Sequence, residues 1–145
     1  MKNFFTLFAH GDTFDVDEYL KTTSLEFDHV WHRGDQKRYA CVEAPHETSG
    51  VEVVLGNGHV LTLREQQRIA VEFLSNHCDQ LRNLARFPGV GTFILGFHYE
   101  VELDDSLLGF CLSPTVQLMR HALDVGIEPT FYIVLDRSHE LEQQY

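Results

Sequence analysis

The clearest hydrophobic pattern lies in T-F-I-L-G-F-H-Y-E-V-E-L, residues 92 to 103. Phe93, Leu95, Phe97, Tyr99, Val101 and Leu103 alternate there with Thr92, Gly96, His98, Glu100 and Glu102. Strand side chains project to opposite faces with a period of two. The segment therefore predicts a strand with one buried and one wet face, as in an antiparallel sheet. A second periodicity fills residues 63–86. Ile69, Ala70, Phe73, Leu74, Cys78, Leu81, Leu84 and Ala85 fall on one helical stripe. Thr62 and Glu65 have the spacing of a capping box in front of it, and Pro88–Gly89 closes it.

Shorter signals complete the order. F-F-T-L-F-A-H (4–10) predicts a first strand, ended by Gly11–Asp12. Asp15 with Glu18 three residues on predicts a capped helix start, worth about 1 kcal/mol. F-D-H-V-W-H-R (27–33) and R-Y-A-C-V-E-A (38–44) predict two more strands, closed by Gly34–Asp35 and Pro45. In 51–61, two apolar runs surround Gly56-Asn57-Gly58, a hairpin signal because Asn-Gly accepts positive φ. Residues 106–112 are expected to pair back on the long strand. Ser113–Pro114 supplies N-cap and N1 of a further helix, with Gly126 as its stop. T-F-Y-I-V-L-D (130–136) is apolar on both faces and predicts a central strand. The sum is an α+β fold, a single domain over residues 1–137. It has a mainly antiparallel sheet and about three helices packed on one side. Residues 138–145 read as a flexible C-terminal tail.

Composition narrows the function classes. The chain has 145 residues, enough for one core that buries roughly 68–70% of the unfolded surface. A net charge of -11 opposes nucleic acid, whose phosphates demand clustered Lys and Arg. It equally opposes an anionic membrane, and suits a basic protein partner. The acids concentrate after residue 100, where only Arg120 and Arg137 oppose them. Cys41, Cys78 and Cys111 are odd in number, lack a C-x-x-C spacing and sit in apolar runs. That usage points to reduced thiols and a cytoplasmic protein. The opening apolar patch is too short for a signal peptide.

Two histidine constellations invite a chemical reading. His29 and His32 flank Trp31, the chain's only tryptophan. Zinc–nitrogen bonds of about 2.0–2.1 Å need convergent donors. Residues i and i+3 of a strand instead point to opposite faces and lie roughly 10 Å apart. On a strand the pair cannot chelate one ion, so scaffold is the simpler reading. His98, Glu100 and Glu102 share one strand face and are the weak metal candidates, or an acid–base set. Their spacing of about 7 Å needs help from a neighbouring strand. No G-x-S-x-G, P-loop or H-E-x-x-H occurs, and Gly89-x-Gly91 follows a helix, the wrong order for a dinucleotide loop. No catalytic residue and no cofactor are expected.

F-D-V-D-E-Y-L-K-T-T-S, then V-W-H-R-G-D, together with the closing L-G-F-C-L-S-P-T-V-Q-L-M-R-H-A-L-D-V-G-I-E-P-T-F-Y-I-V-L-D, resembles an uncharacterised bacterial family, domain of unknown function 4279. The resemblance covers both ends of the chain. Val16 stands where the family pattern has proline, and the hairpin around Asn57 is longer. The resemblance implies a shared fold, with Trp31, Arg33, Gly34 and Asp35 as a structural motif, and carries no enzymatic role. By analogy with small acidic immunity proteins, the expected function is non-enzymatic binding of a basic partner. Glu100, Glu102, Asp104 and Asp105 are the partner-binding candidates. A metal protein or hydrolase using the His98 face, and a homodimer through an exposed sheet edge, are the alternatives.

Overall fold

In a computed structural model of the chain, residues 4–37, 44–56, 62–102, 114–123 and 125–134 are described. They form β1 (Phe4–Gly11), α1 (Val16–Leu20), β2 (His29–Trp31), β3 (Ser49–Leu55), α2 (Leu63–Asn76), α3 (Cys78–Ala85), β4 (Thr92–Glu102), α4 (Pro114–Leu123) and β5 (Gly126–Val134). The strands make one sheet in the order β2-β3-β1-β4-β5.

β1 is the middle of this sheet, and its alternation sets the core. Phe5, Leu7 and Ala9 pair with Leu55, Val53 and Val51 on one side, and with Phe97, Leu95 and Phe93 on the other. All of these except Leu55 are buried, and full burial of each large side chain contributes about 1.5–3 kcal/mol. Every helix adds to the same cluster: Val16 and Tyr19 from α1, Ala70 and Leu74 from α2, Leu81 and Leu84 from α3, Val116 and Leu123 from α4. The helices therefore cover one face, as the α+β, mainly antiparallel prediction requires. A buried Gln66 interrupts the apolar stripe of α2. Its Nε2 donates to the carbonyls of Phe4 and His98, 3.2 Å each, and so ties the helix to β1 and β4.

Several expectations need correction. The helix predicted over 63–86 is two helices, broken at His77, where φ -118 and ψ 18 leave the helical well. The apolar stripe runs on because His77 N–H still reaches the Phe73 carbonyl and Leu81 N–H reaches that of His77. The Asp15 box is half formed: Asp15 Oδ1 accepts from Glu18 N–H at 3.0 Å, while the Glu18 carboxylate turns to Lys21. Gly126 opens β5 rather than stopping α4. Among the described strands β5 lies at the sheet's end rather than its centre, and it runs parallel to β4. The intervening α4 is what allows that, since a parallel neighbour needs a long crossover connection.

The predicted strands at 38–44 and 106–112, the return arm of the hairpin at 57–61 and the tail 138–145 lie essentially outside the described residues. Among the described residues no helix is long and apolar enough to cross a membrane.

Candidate functional site

The face of the sheet away from the helices carries the even residues of β1, namely Phe4, Thr6, Phe8 and His10. Register places Glu52 opposite Phe8 and Gly50 opposite His10 on β3. One strand further, His29 stands opposite Glu52 and Trp31 opposite Gly50. Two rows result, His29–Glu52–Phe8 and Trp31–Gly50–His10.

Gly50 is what seats the indole. A Cβ there would come within 2.2 Å of the Trp31 ring, so only a bare backbone admits it. The His46 ring stacks on Trp31 at 5.3 Å and 24°, and Phe8 and His10 stack at 6.0 Å and 8°. Trp31 Nε1 and His10 Nδ1 are both buried without a hydrogen-bond partner, a condition that costs about 1–3 kcal/mol for such a group.

These rows floor an open cleft of about 1020 Å³. Phe8, Phe27 and Trp31 give it aromatic surface, while His10, His29 and Glu52 give it polar groups. Among the described residues that line it, Asp28, Asp35 and Glu47 are further carboxylates and Lys37 is the lysine. Burial pushes the Glu52 carboxyl up; the His29 opposite opposes that and Asp28 adds to it. Burial also pushes the His46 imidazole down, with Lys37 acting in the same direction. Desolvation disfavours the charged form in both.

The predicted Trp31-Arg33-Gly34-Asp35 element is the cleft's corner. Asp35 N–H donates to the His32 carbonyl at 3.0 Å across a turn whose third residue, Gly34, has φ +92. A type II turn requires that conformation and favours glycine there. The Asp35 carboxylate accepts from His32 N–H at 2.8 Å, and Arg33 N–H donates to Ser49 Oγ at 3.0 Å. Gly34 N–H donates to the His46 carbonyl and His46 N–H to that of Asp35, each 2.8 Å. The motif thus brings His46 over Trp31.

The two histidines that flank Trp31 part company. β2 ends at Trp31, short of the predicted 33. His29 therefore stays on the sheet face, and His32 leaves with the turn. There its Nε2 lies 3.1 Å from Asp17 Oδ1 and its Nδ1 3.4 Å from Asp35 Oδ2. The Asp17 hydrogen bond, with Asp35 in support, holds its pKa above the ordinary range.

His98 lies on β4, its Nε2 3.1 Å from Thr6 Oγ1 and its ring stacked on Phe4 at 4.4 Å. Glu100 and Glu102 follow it on β4, in register with Tyr132 and Val134. Asp104 and Asp105 lie outside the described residues. Among the described residues no three His, Cys, Asp or Glu side chains converge as metal ligands.

Sequence reasoning missed Phe8, His10, His46 and Glu52. Glu52 is the one acid within the apolar run V-E-V-V-L, which was a signal. Its meaning depends on the strands at either side. No family model, no curated protein and no solved structure matches the chain.

Proposed function

We propose that the protein is a non-enzymatic binding module that docks a basic protein partner through acidic surface. An immunity-type inhibitor, neutralising a cationic protein in the bacterial cytoplasm, is the biological role this reading fits. The observation that carries it is the cleft on the outer sheet face, where, among the described lining residues, carboxylates outnumber lysine and Glu52 is half-buried opposite Phe8. The net charge of -11 extends the same sign over the molecule. Complementary charge raises encounter rates toward about 10⁸–10⁹ M⁻¹s⁻¹ at low salt and falls away as salt screens it. Glu100, Glu102, Asp104 and Asp105 remain further partner-binding candidates in this reading.

The test is co-purification from the native host, followed by identification of whatever associates. The expected partner is basic and dissociates progressively as ionic strength rises from about 0.05 to 0.5 M. An associated protein that is acidic, or that holds unchanged through that range, would remove the proposal.

A further inference from the structure

We propose that the cleft beside β2 takes a guanidinium group, an arginine side chain presented by a protein partner, with its charge at the Glu52 carboxylate. The inference rests on the binding-module reading above and names the group that reading leaves open.

Three observations favour this occupant. Charge is the first. Among the described residues, Asp28, Asp35, Glu47 and Glu52 line the cleft against Lys37. Two of the four are already engaged, Asp28 by the Val54 N–H at 2.7 Å and Asp35 by His32. Glu52 is the carboxylate on the floor, on the row between His29 and Phe8. Its burial disfavours the charged form, and a cation brought into contact offsets that cost.

Surface character is the second. The carboxylate lies beside aromatic rings, and an ammonium ion holds its water too strongly to suit such a wall. A guanidinium is planar, weakly hydrated, stacks on rings and matches a carboxylate with two parallel hydrogen bonds. Size is the third. About 1020 Å³ is just above the range of ligand pockets, about 300–1,000 Å³. It accommodates the side chain together with backbone on either side.

Trp31 is the only tryptophan, so its emission reports on the cleft alone. The experiment is a fluorescence titration of the full chain at constant ionic strength and about pH 7.5, above the ordinary histidine pKa of about 6.5. The probes are glycine-flanked pentapeptides whose central residue is arginine, its uncharged isostere citrulline, or lysine. The expected result is a saturable change with arginine and affinities about tenfold weaker with the other two. Glu52→Gln should weaken the arginine peptide by about the same factor. Glu72→Gln, an equal change of net charge on the exposed face of α2, should leave it unchanged.

No saturable response overturns the proposal. So does citrulline or lysine binding as well as arginine, or equal effects of the two substitutions. Thermal melts of both variants separate a lost contact from a lost fold. A negative titration alongside a salt-released basic partner sinks the cleft as the anchor and leaves the binding module standing. A positive titration with only acidic proteins recovered does the reverse.

Discussion

An alanine at Gly50 would place its Cβ 2.2 Å from the Trp31 indole, whereas an alanine at Gly34 would meet nothing within 4 Å. The two glycines are needed for different reasons, space at one and positive φ at the other. Gly50→Ala should cost about 1–3 kcal/mol by displacing the ring, and should shift Trp31 emission. Gly34→Ala should cost about 1–2 kcal/mol through the left-handed backbone, with emission unchanged. Urea unfolding followed by fluorescence reads both quantities, and a shift confined to Gly34→Ala would contradict the seating of the indole.

Two imidazoles should titrate on opposite sides of the ordinary value near 6.5. His32 is held up by Asp17 and Asp35. Its contribution to stability is complete below about pH 6.5 and is lost as pH rises through the raised folded value. The side chain is 48% exposed, so the contribution is small. His46 is pushed down by burial. It leaves stability untouched above about pH 6.5 and subtracts from it as pH falls toward the lowered folded value, because the unfolded chain then binds the extra proton. Proton NMR titration of the ring signals tests the ordering; a His46 value at or above that of His32 would contradict it. The turn around Gly34 and Asp35 was legible in sequence because its chemistry spans four residues. The cleft was not, because Glu52 acquires neighbours only when β1, β2 and β3 settle into register.

At the scale of elements, capping was legible and breaks were not. Thr62 and Glu65 form the full reciprocal box, with Thr62 N–H donating to Glu65 Oε2 at 2.8 Å and Glu65 N–H to Thr62 Oγ1 at 3.2 Å. Thr62→Ala should therefore cost about 1 kcal/mol. Glu18→Ala should stay within about 0.5 kcal/mol, because its carboxylate does not return to the α1 cap. Denaturant midpoints compare them, and equal losses would refute the half-formed box. The interruption at His77 left no mark on the apolar stripe, since the residues on both sides keep the same face. His77 is neither glycine nor proline, the residues that usually announce a break. Its place is fixed by neighbours instead: Phe73 at 4.7 Å and Gln80 at 3.1 Å. The parallel direction of β5 was similarly hidden. An apolar run says that a strand is covered on both faces, or expects to be, and says nothing of which way it points.

For the whole molecule, the sheet and its helix-covered face followed from two periodicities, because burial is a matter of pattern and tolerates errors of boundary. Strand order did not follow, because pairing choices are made between segments distant in sequence. The same distinction separates the acidic balance, readable from composition, from the cleft, which gathers a few of those acids with aromatic rings. The salt sensitivity expected of a partner complex tests the first; the arginine titration tests the second.

β1 sits at the centre of the sheet although it is the earliest strand, and its neighbours are β3 and β4, the latter ending at Glu102. A ribosome making this chain therefore releases F-F-T-L-F-A long before its second flank exists. Until then the hexapeptide is an oily, extended ribbon with no mate, the kind of segment that nascent-chain chaperones hold and that clumps when they do not. Maturation is set by the arrival of β4, and contacts spanning so much of the chain make for a slow closing step.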